Sequence, residues 1–204
     1  MNQKSWKSKF MSPSRIDSYV YHRDSEQSVD DFIDNLLHLR EMPPIVDAGT
    51  QFHEFIEKCG YINIPNKFTH GNWIYEIPFD IEISLPIYRE YRISTLWNDI
   101  EINGKIDAGN HLVIHDLKTT QRLDIEKYIN SWQWRIYLWM TNIDKFVYNI
   151  FELKLLDKNA LITDYQELKL YRYSNMESEI HNLYYEYNNY LDSIKHLIKE
   201  REIN

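Results

Sequence analysis

Residues 102–120 read Ile-Asn-Gly-Lys-Ile-Asp-Ala-Gly-Asn-His-Leu-Val-Ile-His-Asp-Leu-Lys-Thr-Thr. Ile102, Gly104 and Ile106 alternate with Asn103, Lys105 and Asp107, and beyond Gly109-Asn110 Val113 alternates with Leu112 and Ile114. Alternation on both sides of a Gly-Asn pair is a hairpin signal. Successive side chains of a strand leave from opposite faces, so Asp116 and Lys118 share one face and the hairpin brings Asp107 alongside them. The stretch therefore predicts two carboxylates and a lysine in one small site.

Upstream, residues 1–11 are polar and basic and are expected to form an arm. Ser12-Pro13 has the N-cap and first-turn arrangement of a helix carrying Ile16, Tyr19 and Val20. A second helix is predicted over 28–41 and is closed by Met42-Pro43-Pro44. In a third, over 45–59, Gly49, His53 and Glu57 lie four apart on one stripe, with Phe52 and Ile56 flanking it and the side opposite expected to be core. A lone histidine on such a helix is more often structural than ligating. Alternation over 73–85 predicts a strand made an edge or bent by Pro78, and 88–97 a further strand.

Downstream, Asp124 caps a predicted helix to residue 141, apolar over much of its circumference and carrying Gln133 and Tyr137 one turn apart on one face. Strands follow over 146–155 and 165–173. Ser174-Asn175-Met176-Glu177 reads as a capping box, opening a long helix over 174–204 whose Ile180, Tyr184, Tyr187, Leu191, Ile194 and Ile198 form a narrow apolar seam suited to packing on its own domain. The order implies one domain over 1–204 of α/β (α+β) class, a central mixed β-sheet flanked by helices.

The chain has 204 residues, 43% of them hydrophobic, enough for one core. A net charge of -8 and a pI near 5.5 argue against a basic nucleic-acid coat, so any polyanion must be held by a local basic cleft or by metal ions. One cysteine, Cys59, no hydrophobic leader and no apolar run of membrane-spanning length lead to the expectation of a soluble, cytoplasmic protein of a bacterial or phage-infected cell, with no membrane partner.

Hard divalent cations take oxygen ligands, and one or two carboxylates with waters and phosphate oxygens suffice for Mg²⁺. Asp107, Asp116 and the Leu117 carbonyl offer such oxygens, and Lys118 stands where it can orient or deprotonate a water and balance charge developing at phosphorus. The chemistry these residues suit is metal-assisted phosphodiester hydrolysis. An exposed ion pair on a strand has the same local pattern and is commoner.

Four segments in register change the weighting: Gly49-Thr50-x-x-His53-x-x-x-Glu57, Gly104-Lys105-Ile106-Asp107, Ile114-His115-Asp116-Leu117-Lys118-Thr119-Thr120 and Gln133-x-x-x-Tyr137. With Ser-Pro-Ser-Arg-Ile-x-x-Tyr at 12–19, this pattern resembles the RecB-type branch of the PD-(D/E)XK nuclease superfamily, most closely its phage-encoded or mitochondrial-type exonucleases. The resemblance implies a restriction-endonuclease-like core and Mg²⁺ or Mn²⁺ bound by His53, Asp107, Asp116 and the Leu117 carbonyl. It gives Lys118 the attacking water, Gln133 and Tyr137 the completion of the active site, and Glu57 a place beside the metal or at a second one. Some members carry four cysteines around an iron-sulfur cluster; a single cysteine cannot supply four thiolates, so the resemblance is to members without one.

The expectation is a metal-dependent DNA exonuclease of replication, repair or recombination. It would engage linear ends, single-stranded or unwound, through cations such as Lys105, Arg122, Lys127 and Arg135, with Trp132, Trp134 and Tyr137 available for stacking. No helicase motor is present in the sequence, so unwinding would fall to a helicase or recombination partner. A non-catalytic nucleic-acid-binding module with a nuclease fold and a site-specific endonuclease are the alternatives.

Overall fold

The computed structural model describes residues 6–59, 64–83 and 85–203, with the backbone alone at Cys59. After a 3-10 turn at Trp6–Lys9 come α1 (Pro13–Asp24), α2 (Val29–Leu37), α3 (Pro44–Cys59), β1 (Lys67–His70), β2 (Trp73–Glu76), β3 (Tyr88–Trp97), β4 (Ile100–Gly109), β5 (Ile114–Thr120), α4 (Ile125–Asn130), α5 (Gln133–Thr141), β6 (Lys145–Leu156), β7 (Asn159–Tyr171) and α6 (Met176–Ile203).

The central hairpin forms, and a side chain shapes its turn: Asn110 Oδ1 accepts from the amides of Leu112 at 2.8 Å and Val113 at 3.0 Å. Asparagine favours turns for this reason. The β4–β5 ladder is short, with Ala108 opposite His115 and Gly109 opposite Ile114, and it stops there. The seven strands form one mixed sheet in the order β1-β2-β7-β6-β5-β4-β3. β5 runs parallel to β6 and β2 to β7, and the other neighbours are antiparallel. A parallel neighbour requires a crossover, and α4 with α5 supplies it between β5 and β6.

Apolar side chains fill two cores. One joins Ile16, Phe32, Ile136 and Tyr184 of the helices to Ile106, Phe146 and Tyr148 of the strands. The other packs Ala48, Phe52 and Ile56 of α3 on Leu117, Phe151 and Tyr75. β6 contributes to both, which places it at the centre of the sheet. The long α6 buries its seam as expected, with the Tyr184 ring 5.5 Å from Trp97 and 5.9 Å from Trp139.

Several expectations are corrected. Residues 6–11 are no loose arm: Lys7 Nζ lies 2.6 Å from Asp192 on α6, and Phe10 and Met11 are buried; residues 1–5 lie outside the described residues. α2 closes early, at His38 in the left-handed conformation (φ +57°). On α3 the flanking Phe52 and Ile56 are buried together with Ala48 and Gly49, because the helix sits between β5 and the β1–β2 pair, while Phe55 stacks on Phe68 with centroids 3.6 Å apart. The strand expected over 73–85 ends at Glu76, just ahead of Pro78, which has no amide to give a ladder. β7 begins at Asn159, directly after a turn with Asp157 at φ +54°. α6 opens at Met176 instead of behind a Ser174 cap.

The helix expected over 124–141 is two helices, broken at Ser131-Trp132. The apolar period runs through the break, which hid it. Arg135 closes the end of α4 by donating to the carbonyls of Ile129, Asn130 and Ser131 at 3.1, 2.9 and 2.7 Å.

Candidate active site

Where the β4–β5 ladder stops, a side chain continues it. Asp107 Oδ2 accepts from the Leu117 amide at 2.8 Å, which fixes its carboxylate against β5. Asp116 and Lys118 leave β5 together, with Lys118 Nζ 2.7 Å from Asp116 Oδ2, and Asp116 is almost fully buried at 3% exposure. From α5, Gln133 Nε2 approaches Asp116 Oδ1 at 3.4 Å. The hairpin thus gathers Asp107, Asp116 and Lys118, and the crossover brings Gln133 to them.

Tyr137 serves the same site from behind. Its hydroxyl donates to the Lys105 carbonyl at 2.6 Å, and its ring lies so close over β4 that a Cβ on Gly104 would come within 2.7 Å of it. It anchors α5 to the strand that carries Asp107. On α3, a Cβ at Gly49 would overlap the Thr119 hydroxyl. The glycine therefore permits the close helix–strand approach that brings His53 toward Lys118. A cavity of about 340 Å³ between α3 and β5 is lined by Gly49, His53, Lys118 and Thr119.

The charges are unbalanced. Burial, then repulsion by Asp116, pushes the Asp107 carboxyl up to about 7. Burial also raises Asp116, against the pull of Lys118. For Lys118 burial works downward, but attraction to Asp116, Tyr148 and Asp107 outweighs it, so the ammonium holds its proton more tightly than usual. Lys118 therefore stands as a charged ammonium beside the two carboxylates. His53 is pushed down to about 3 by burial and then by Lys118, which keeps its ring neutral. Its Nε2 is shut off from solvent without a hydrogen-bond partner.

Two carboxylates beside one ammonium are oxygen donors of the kind a hard divalent cation takes, and the His53 nitrogen is unpartnered, but His53, Asp107 and Asp116 do not bring their ligand atoms within 4.8 Å of one another. Carboxylate and carbonyl oxygens are the donors that hard divalent cations take, whereas imidazole suits transition metals. Among the described residues, the acidic groups that bring ligand atoms within 4.8 Å of one another are Glu57, Glu90 and Asp107. Glu90 escaped the sequence reading because it sits in an ordinary alternation, on the edge strand β3, at φ +50°. Burial and then the neighbouring Glu90 push Glu57 up to about 8, and Glu90 is ion-paired to Lys105.

The expected DNA-contacting cations divide. Lys105 is held by Glu90, and Arg135 is committed to the α4 carbonyls and lies over Trp132 and Trp134. Trp134 is buried, so its ring is core. Arg122 is exposed beyond the end of β5, and Lys127 lines a second, larger cavity next to Lys118. Asp17 of α1 was also missed: its carboxylate accepts from Ser131 Oγ and the Trp132 amide, each at 2.5 Å, and so holds the head of α5 from 115 residues away. No local pattern announces a contact of that range.

No helix among the described residues is long and apolar enough to cross a membrane. No protein-family model and no curated protein matches the sequence. Among solved structures, the alkaline exonuclease LHK-Exo in complex with dAMP matches at 12% identity and TM-score 0.51, covering 96% of this chain and 95% of that one. The same exonuclease from Laribacter hongkongensis, in a second structure, gives a TM-score of 0.48 at 12% identity over 96% and 93% of the two chains. A structure named as an exonuclease from Eubacterium rectale gives a TM-score of 0.49 at 13% identity over 87% and 78% of the two chains. The mixed seven-stranded sheet with flanking helices is thus the α/β fold of the alkaline exonuclease LHK-Exo.

Proposed function

We propose that this chain is a Mg²⁺- or Mn²⁺-dependent DNA exonuclease of the PD-(D/E)XK type that hydrolyses phosphodiester bonds at strand ends in replication, repair or recombination. The observation that carries the reading is the Asp107–Asp116–Lys118 group at the point where the β4–β5 ladder ends, with Gln133 on Asp116. Support comes also from the fold it shares with an alkaline exonuclease solved with dAMP, a deoxynucleotide of the kind such hydrolysis releases.

His53, Asp107, Asp116 and the Leu117 carbonyl would hold the metal, with Glu57 and Glu90 beside Asp107. When bound, the ion supplies Lewis-acid polarisation of the phosphate and a more acidic water. Lys118, held protonated, donates to the attacking water or to a phosphate oxygen and offsets charge that grows there in the transition state. Gln133 fixes the orientation of Asp116, and Tyr137 fixes α5 on β4. Lys127 and Arg122 are the cations left to meet the strand. Unwinding is left to a helicase or recombination partner.

End-labelled linear DNA and closed circular DNA, each incubated with Mg²⁺ or Mn²⁺, test the reading. Shortening of linear DNA with the circle intact is expected. Cutting of the circle would make the protein an endonuclease, and inertness with both ions a binding module. Asp116→Asn and Lys118→Ala are each expected to lower the rate by about a hundredfold or more.

A further inference from the structure

A cavity of about 580 Å³ lies between α1, α2 and α4, and Lys118 and Thr119 line both it and the smaller cavity under α3. Lys118, whose ammonium faces Asp116, is thus a wall residue of both hollows. The larger hollow has the size of a small-molecule site, typically about 300–1,000 Å³. Tyr128 lies in its wall, and Tyr21, a tyrosine 66% exposed on α1, stands at it with no core to join. Gln27, Asn35 and Asn130 also line it, and among the described residues their side-chain amides make no hydrogen bond to protein. Lys127 adds a cation.

Aromatic faces accept any base by stacking. Side-chain amides each offer two donors and an acceptor, which match the mixed edge of a nucleobase and do not match a purely anionic or purely apolar ligand. A base in a duplex is stacked and paired and cannot enter such a pocket without leaving the helix. Resting on the nuclease reading of the adjoining Asp116 and Lys118, we propose that this cavity receives the unpaired base of a strand end, so that the substrate is a single-stranded or frayed terminus and not a blunt duplex. The cavity accounts for an exposed tyrosine, three unengaged amides and a lysine that the hydrolytic group does not use.

The test is binding without hydrolysis. Single-stranded oligonucleotides with a dye at one end carry either a normal or an abasic nucleotide at the other, in both polarities, and anisotropy is measured in EDTA. For one polarity the abasic end is expected to bind about tenfold more weakly to the wild type. Ser18→Trp, at an exposed cavity-lining position on α1, should weaken the normal end to the level of the abasic one without weakening the abasic one further. Ser18→Ala should behave as wild type, and a blunt duplex should compete poorly until its end is mismatched. Equal affinity for normal and abasic ends in both polarities, or a Ser18→Trp variant that melts like wild type and keeps the discrimination, overturns the proposal. A protein that discriminates in EDTA yet hydrolyses nothing with either metal would refute the nuclease reading and leave the pocket standing.

Discussion

Asp107 and Asp116 bring more negative charge into the interior than Lys118 returns. Burial disfavours the charged form and a nearby like charge adds to it, and the rise of Asp107 to about 7 reflects burial first and repulsion by Asp116 second. A carboxyl whose folded pKa is raised binds its proton more tightly in the native state, so it costs stability above that pKa and nothing below its unfolded value near 4. Asp107→Asn keeps an acceptor for the Leu117 amide and removes the charge. In EDTA at pH 8 the variant should be more stable than wild type by about 1–2 kcal/mol, and the difference should shrink below pH 7 and vanish near pH 4. Urea denaturation at the three pH values checks it, and the same variant should lose hydrolysis. Lys118→Ala has the opposite sign: it strands Asp116, at 3% exposure, with Gln133 alone. A loss on the order of 3 kcal/mol at pH 8, typical of halving a buried pair, should show in the same titration.

At the scale of elements the site depends on two junctions. Trp132, the residue just before α5, offers no side-chain cap to the helix, and Asp17 supplies one from α1. Asp17→Ala should destabilise the fold by about 1–2 kcal/mol and, by freeing the helix that carries Gln133, lower kcat about tenfold; an unchanged kcat in a destabilised variant would separate the cap from the chemistry. The other junction is Gly49 against Thr119. Gly49→Ala should cost about 1–3 kcal/mol, and Gly49→Ala with Thr119→Ala should recover much of it, because the overlap is with the Thr119 hydroxyl; melting curves of the single and double variants measure the coupling. These junctions also mark what the sequence could show. The hairpin, the α6 seam, and Asp116 and Lys118 as neighbours were legible because such periodic patterns are local, whereas Gln133 was placed at the site only by the family resemblance. The break at Ser131-Trp132 was not, since the apolar period continues through it while the cap that stabilises it lies on α1. Glu90 and Asp17 carry no local signal, because what gives them meaning is a partner on another element.

Across the whole molecule, a metal bound as proposed would compete with protons for the same groups, and stability should record it. His53 and His115, the latter pushed down to about 4 chiefly by burial, are neutral in the native protein. A histidine whose folded pKa is lowered leaves stability untouched above the unfolded value near 6.5 and loses it as pH falls below, by up to about 1.4 kcal/mol per unit. Asp107 and Glu57, raised to about 7 and about 8, do the reverse, returning stability as pH falls through those values toward 4; Glu57 is only half-buried, so its share is the smaller. In EDTA the two trends oppose each other, and the urea midpoint should change little between pH 7 and 5. A saturating divalent cation holds the carboxylates ionised and binds only the folded state. The midpoint should then rise at pH 7 with Mn²⁺ and fall steeply toward pH 5, as the histidines lose their counterweight and protons displace the ion. Asp107→Asn should remove most of the rise. Parallel pH dependences with and without Mn²⁺ would mean that the ion does not engage these carboxylates, whatever the protein hydrolyses.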